Sequence, residues 1–396
     1  MKNMSLEQIA SACGGIYSGD AAKKTLEVSG VAIDSRKIEK DYLFVPIAGA
    51  RVDGHNFIPQ VMENGALCTL SQKNLGSVSY PYILVDSCEQ ALKDIAEYYL
   101  ASLDIKVVGI TGSVGKTSTK EMIASVLEQK YNVLKTAGNF NNEIGLPLTI
   151  FNIREEHEIA VLEMGIDSFG EMRRLAKIVR PDICVITNIG ICHLENLIDR
   201  DGVLKAKTEM FDFMKEDAAI ILNGDDDKLI TVEKVKKSTP VFFGLSSDRD
   251  YYASDVTSLG LKGTSCTLHL PSGTLTATIH LPGAHMIYNA LAGAAVGCAF
   301  GLTPAEIKAG IESLVPVSGR NNLIETDKFT IIDDCYNANP MSMRASIDVL
   351  SNGLGRTVAI LGDMGELGEN EKALHYEIGV YAAEKGIDLI CFVGTL

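Results

Sequence analysis

"GITGSVGKTSTK", residues 109–120, follows the apolar run "VVGI" and leads into "KTSTKEMIASVLEQK", where Met122, Ile123, Val126 and Leu127 recur at helical spacing. Strand, glycine loop and helix thus come in the order of a phosphate-gripping loop. Ile110 stands where the common G-x-x-x-x-G-K-[ST] pattern has its first glycine, which argues against an ordinary small GTPase. Gly112 and Gly115 still supply a tight turn and close backbone approach. Backbone N–H groups at such a helix start face phosphate oxygens, the Lys116 ammonium reaches the terminal phosphates, and the Thr117 hydroxyl can coordinate Mg²⁺. Gly112, Ser113, Gly115, Lys116, Thr117 and Ser118 are therefore the expected nucleotide-binding set. Gly-Lys-Thr also arises by chance, and a glycine turn can serve packing alone, but the flanking strand and helix favour the nucleotide reading.

Outward from the loop, "KVVGIT", "NVLKT", "IAVLEMG", "ICVITNIG" and "AAIILNGD" are near-continuous apolar runs, as in a parallel sheet buried on both faces. The expected core is a doubly wound, P-loop-type α/β domain over residues 104–314. Within it, "TSCTLHLPSGTLTATIHLPG" alternates around Pro-Ser-Gly, predicting an antiparallel insertion before the helix "HMIYNALAGAAVGCAFG". Residues 1–103 predict a small α/β domain, with "LFVPIAG" and "YILVDS" as strands and "FIPQVMENGA" and "CEQALKDIAEYYLAS" as helices. After the turn-rich "PVSGRNN", residues 315–396 restart a strand-helix rhythm in "FTIIDDCYNANP", "TVAILGDMGELG" and "IDLICFVGTL" and predict a third, Rossmann-like domain. The last apolar run ends without a covering helix, so this domain is expected to be incomplete.

The 396 residues exceed the usual ceiling for one core, and 46% hydrophobic with 22% charged residues marks an ordinary folding chain. A formal net charge of −15 opposes general attraction to nucleic acid or anionic membrane. No signal peptide or bilayer-spanning apolar run is evident, so no membrane insertion is expected. Nine cysteines without a C-x-x-C pair read as reduced thiols, which points to a cytoplasmic protein. Cys192 beside His193 is a weak candidate nucleophile, because sequence neighbours seldom face each other usefully.

Glu163 ends "IAVLEMG" at the carboxyl edge of the same sheet as the loop, where open α/β sheets place ligands. It reads equally as an Mg²⁺ ligand or a solvated strand-end acid. His193 follows the next strand in the equivalent place, but a lone histidine is more often structural. Lys207, in the amphipathic "GVLKAKTEMFDFM", reads from chemistry alone as part of a solvated helix face. "DDCYNANP" reads first as an Asn/Pro turn.

Taken together, "TGSVGKTSTKEM", "TAGNFNNEIGLPLT", "LEMGIDSFGEM", "ITNIGICHLENL", "KAKTEMF", "YNALAG" and "IIDDCYNANPMSM" resemble the Mur ligases of peptidoglycan synthesis. "DDCYNANP" and "GDMGELG" look like the MurF type, and the resemblance covers nearly the whole chain in order. It implies an ATP-dependent ligase, acting with two Mg²⁺ ions, that joins D-alanyl-D-alanine to a UDP-N-acetylmuramoyl tripeptide through an acyl phosphate. By resemblance, Thr117 and Glu163 hold one Mg²⁺, and His193 and a carbamoylated Lys207 the other. Lys116, His193, Lys207 and Arg320 are the implied catalytic groups. Asn289 would approach adenine, Asp334 the ribose and Arg320 the γ-phosphate. Ser35 and Arg36 in "DSRKI", with "LFVPIAGARVDGHNFI", look like the uridine-diphosphate pocket. Thr136, Asn139, Asn141 and Asn142 are implied at the muramoyl part, and Tyr336, Asn337 and Asn339 complete the implied substrate contacts. A monomer is expected. Departures from the family pattern are Met286 where Asn is usual, and Ile198 and Asp199 where Gly-Ser is common. The rivals are a folylpolyglutamate-type amide ligase, which lacks a counterpart of "DSR" and "DGHNFI", and a simple P-loop phosphotransferase or ATPase, which leaves the N-terminal domain unexplained.

Overall fold

The computed structural model describes residues 1–49 and 51–396. Ala50, inside "LFVPIAGARVDGHNFI", lies outside the described residues. The chain groups into two compact units, one of Met1–Lys106, Thr136–Ala160 and Lys177–Arg180, the other of Val107–Lys135, Val161–Ala176 and Pro181–Leu396.

In the first unit, five strands lie in the order Ile16–Ser18, Tyr82–Leu84, Cys68–Ser71, Tyr42–Phe44, Gly30–Ala32. The pairings are parallel except at the Ile16–Ser18 edge. The helix Cys88–Ala101 starts on a Ser87 side-chain cap and buries Ala91, Leu92, Ile95, Ala96 and Tyr99 along one stripe. Tyr99 brings its hydroxyl into that apolar layer and satisfies it on the Ile153 carbonyl at 2.7 Å.

The sheet that decides the fold has nine strands, ordered Gly273–Ile279, Thr264–Leu270, Tyr251–Ser258, Val241–Gly244, Ala219–Asn223, Ile183–Ile186, Lys106–Thr111, Ile159–Glu163, Val133–Lys135. The first strand in sequence, Lys106–Thr111, lies inside the sheet, with earlier-following strands on one side and later ones on the other. This reversal of strand order is the switch point at which such sheets open a ligand crevice. Ile159–Glu163 and Ile183–Ile186 are buried at every residue, which is why they read as unbroken apolar runs. The predicted hairpin is present in antiparallel register, Leu270 opposite Gly273 through Thr264 opposite Ile279, and it extends the central sheet.

The phosphate-loop helix, Lys116–Leu127, packs under Met286–Ala299 and Pro304–Glu312. Buried Ser125 donates to the Gly310 carbonyl at 2.7 Å, tying the last of these helices to it.

Residues 315–396 differ from a simple strand-helix alternation at their start. Thr330–Asp333 pairs antiparallel with Asn322–Glu325, in a hairpin whose turn is closed by Thr326 accepting the Lys328 and Phe329 N–H groups. Val358–Gly362 and Leu389–Val393 then form a parallel pair. Ile347, Ala359, Met364, Leu367, Ile378, Ala382 and Ile387 make the local core, while Val358, Ile360, Leu389, Phe392 and Val393 remain exposed. Central-domain Ile191 packs against the same core. No helix among the described residues is long and apolar enough to cross a membrane.

Candidate active site

Gly112, at φ 151°, and Gly115, at φ 79°, turn the chain from Lys106–Thr111 into the helix Lys116–Leu127. No side chain caps this helix, and the first N–H paired in helical fashion is that of Thr119, to the Gly115 carbonyl at 2.8 Å. The preceding donors, on Lys116, Thr117 and Ser118, are those that a phosphate would take. The loop is fastened from beneath by the segment after Ile183–Ile186. The Ser113 N–H donates to the Asn188 carbonyl at 3.0 Å and the Val114 N–H to Asn188 Oδ1 at 2.9 Å. Thr187 Oγ1 and Asn188 Nδ2 both donate to the Val114 carbonyl. Ser113 Oγ accepts from the Gly190 N–H at 2.8 Å and from the Cys192 thiol at 3.1 Å. A loop so braced holds its donors in place before a ligand arrives.

A Cβ on Gly112 would stand 1.9 Å from Thr187 Oγ1, an atom itself held on Val114, at a φ disfavoured for L side chains. Gly112→Ala is therefore expected to destabilise the central domain by about 3 kcal/mol. A lower urea midpoint with loss of nucleotide binding checks this; an unchanged midpoint and intact binding would refute it.

Thr117 Oγ1 donates to Glu163 Oε2 at 3.0 Å, with both residues buried. A hydroxyl and a carboxylate side by side at the mouth of a phosphate loop are hard oxygen donors of the kind Mg²⁺ takes alongside phosphate and water. Lys116 Nζ donates to the Gly112 and Ser113 carbonyls, at 2.8 and 3.3 Å, and its pKa is pushed down by burial against the opposing pull of Glu163. His193 stands at φ 53° ahead of the short helix Leu194–Leu197 and bonds through Nδ1 to Glu366 Oε2. Burial lowers its pKa, and the nearby Glu366 carboxylate opposes this. Lys207 is 1% exposed, and no hydrogen bond or ion pair of its ammonium occurs among the described residues. Burial, reinforced by Lys116, lowers its pKa to about 8. No group of three or more His, Cys, Asp or Glu side chains suited to a metal occurs among the described residues.

The depressed Lys207 pKa makes stability depend on pH. Below about 8 the ammonium is present folded and unfolded, and its burial cost is fully felt. Between about 8 and its ordinary 10.5 only the unfolded chain keeps the proton, so stability rises with pH. In bicarbonate-free buffer with EDTA, Lys207→Met is expected to melt above the wild type at pH 7, the gap closing from pH 8 towards 10. A gap independent of pH would contradict the assignment.

Arg320 lays its guanidinium over the Tyr336 ring, 4.0 Å from the centroid. Asp334 accepts from the Asn321 N–H at 3.2 Å and from Ser346, and burial raises its pKa. Asn289 is engaged by the protein itself: Thr119 donates to its Oδ1 at 2.9 Å and its Nδ2 donates to Met286 Sδ at 3.2 Å. The thioether at the departure position thus serves as an acceptor. One of the implied substrate amides is a helix cap here, Asn339 accepting from the Ser342 N–H at 2.9 Å, while Asn142 accepts the Ile144 and Gly145 N–H groups, at 3.2 and 2.8 Å, in the turn that enters the helix Gly145–Ile150. Asn337 accepts from the Ala338 N–H beside it, and Tyr336 is exposed. At the other departure, Ile198 is exposed at φ 73° and Asp199 caps the helix Arg200–Thr208 that carries Lys207.

In the first unit, Asp34 caps the turn Ser35–Lys37 and pairs with the exposed Arg36 guanidinium through both oxygens, at 2.9 and 2.8 Å, which holds the Asp34 pKa down to about 2. His55 was not singled out in the sequence. It is buried, with Nδ1 2.7 Å from Asp53 and Nε2 accepting the Gln72 N–H at 3.1 Å, and so pins the "DGHNFI" turn. Its sole sequence signal is its place in that motif. Thr136 is buried, whereas Asn139 is exposed and Asn141 half-buried.

Fold and site together define a phosphate-loop nucleotide-binding protein of the doubly wound α/β class. Family models match along the chain: the Mur ligase family catalytic domain at residues 27–99, the Mur ligase middle domain at 110–297, and the Mur ligase glutamate ligase domain at 319–396. The chain is 39% identical over its whole length to the UDP-N-acetylmuramoyl-tripeptide–D-alanyl-D-alanine ligase of Bacillus subtilis, covering 86% of that protein. It also resembles the crystal structure of MurF from Acinetobacter baumannii, with a TM-score of 0.93, 32% identity, and coverage of 100% of this chain and 86% of that one. MurF ligase from Thermotoga maritima, solved with ADP, matches with a TM-score of 0.82 and 31% identity over 91% of this chain and 88% of its own. The chain belongs to the Mur ligase family.

Proposed function

We propose that this chain joins D-alanyl-D-alanine to the terminal carboxylate of a UDP-N-acetylmuramoyl tripeptide at the expense of ATP, in peptidoglycan precursor synthesis. The observation that carries the reading is the braced phosphate loop with Thr117 on Glu163, in a chain aligned end to end with a ligase of that name. The tripeptide carboxylate attacks the γ-phosphate, giving an acyl phosphate and ADP. The dipeptide amine then adds to the activated carbonyl, and the tetrahedral intermediate expels phosphate. Neither step needs a protein nucleophile; both need aligned reactants and cations where charge develops.

Each residue then has a task. The N–H groups of Lys116, Thr117 and Ser118 receive phosphate oxygens, and the Lys116 ammonium offsets charge on the transferred group. Thr117 and Glu163 would hold one Mg²⁺. His193 and Lys207, the latter as a carbamate, would hold a second. When bound, these ions supply electrophilic neutralisation of the phosphoryl and acyl oxygens. A buried lysine with a pKa near 8 and no carboxylate partner suits carbamate formation, because the neutral amine attacks carbon dioxide and the product is an anionic oxygen ligand. Arg320 is assigned to the γ-phosphate, Asn289 and Asp334 to the nucleoside. Ser35 and Arg36 are assigned to the uridine diphosphate, and Thr136, Asn139, Asn141 and Asn142, with Tyr336, Asn337 and Asn339, to the rest of the substrate. Domain boundaries near 103/104 and 314/315, a monomeric state and a cytoplasmic site of action complete the proposal. The test is incubation with ATP, Mg²⁺, the UDP-muramoyl tripeptide and D-alanyl-D-alanine, with mass detection of the pentapeptide product. ADP release without that product would sink the substrate assignment.

A further inference from the structure

The loop Asp363–Gly368 of the C-terminal region meets His193 of the candidate metal site at Glu366. Glu366 stands in left-handed backbone conformation, at φ 61°, between two buried anchors, Met364 and Leu367, each 2% exposed. Its carbonyl accepts the Leu194 N–H at 3.2 Å, and its carboxylate accepts from His193 Nδ1. Ile191, two residues before His193, packs into the core that Met364 and Leu367 help to form. Backbone, carboxylate and apolar contacts thus fasten one loop to the other at His193. A non-glycine residue is disfavoured in the left-handed region, so this conformation persists because the surroundings fix it.

An imidazole has one lone pair to give when neutral, and the nitrogen that carries it is set by the partner of the other nitrogen. We propose that Glu366 is a positioning residue for His193: by accepting the Nδ1 proton it fixes the tautomer whose Nε2 is free to ligate a divalent cation. The inference rests on the reading of His193 as a cation ligand. It ties the competence of that ligand to the C-terminal region, because Glu366 reaches His193 only while its loop is docked on residues 191–194.

The experiment uses protein labelled with ¹⁵N-histidine, His193 being assigned by comparison with His193→Ala. Long-range proton–nitrogen correlation reads the tautomer, and electron paramagnetic resonance reads Mn²⁺ binding. The wild type should show Nδ1 protonated. Glu366→Ala should shift His193 towards the Nε2-protonated form and weaken the Mn²⁺ site that His193→Ala removes by about 10- to 100-fold. Glu366→Gln, whose side-chain oxygen can still accept the proton, should keep the wild-type tautomer, which a loss of folding or docking alone would not predict. An Nε2-protonated wild type, or a Glu366→Ala protein with unaltered tautomer and Mn²⁺ affinity, overturns the inference. Should His193→Ala itself leave Mn²⁺ binding intact, the reading of His193 as a ligand fails instead.

Discussion

Lys207→Ala should lose ligase turnover by about three orders of magnitude, the scale on which groups that stabilise transition-state charge act, and recover part of it when acetate or another short carboxylate is added. The expectation comes from an imbalance inside the fold. Lys207 is as buried as the apolar core, yet no carboxylate among the described residues forms an ion pair with it, and Lys116 lies near enough to push its pKa down further. A lysine kept there for packing alone would be a costly choice. On the proposed reading, carbamoylation would convert this cation into an oxygen ligand that shares a metal ion with His193, and an added carboxylate would take the space left by the truncated side chain. Lys207→Met separates the readings, since it fills the same volume without a ligand atom. It should be as inactive as the alanine variant while folding normally. Unaffected turnover in either variant would remove Lys207 from the site.

Lys116→Met should be comparably damaging, by about 10³-fold in single-turnover product formation, because the ammonium is the group proposed to neutralise the phosphoryl oxygens. Its two hydrogen bonds in this structure go to carbonyls of its own loop, which is otherwise braced by Thr187, Asn188 and Ser113. The fold should therefore survive the change. Binding of the UDP-linked substrate, assigned to other residues, should persist within a few-fold. Activity within tenfold of the wild type would contradict the assigned role.

What could be read from the sequence was whatever is written locally. Lys106–Thr111, the glycine turn and Lys116–Leu127 are contiguous, and the strands ending at Glu163 and Ile186 announce themselves as apolar runs because both their faces are covered. The antiparallel hairpin at Pro271 and Ser272 carries its own alternation and turn. Illegible were the interactions between residues far apart in the chain. Nothing near Ser113 says that it holds Gly190 and Cys192, and nothing near His193 says that Glu366 meets it. Lys207 shows the limit most sharply: its charged neighbours along the helix read as a solvated face, and its burial emerges only when the helix is packed. The short strand Asn322–Glu325 starts at the last residue of the turn-rich "PVSGRNN" and carries no signal of its own, since its pairing depends on Thr330–Asp333 beyond a turn. The role of Asn339 as a cap depends on which residue begins a helix, which sequence fixes least well.

The central claim is that the bound phosphate loop activates a carboxylate and does not direct phosphate to water. The direct test labels the terminal carboxylate of the UDP-muramoyl tripeptide with ¹⁸O and follows both products by mass spectrometry during turnover with ATP and D-alanyl-D-alanine. The account predicts that each pentapeptide formed is accompanied by one phosphate carrying a single ¹⁸O atom. Unlabelled phosphate, or phosphate released without pentapeptide, would contradict it.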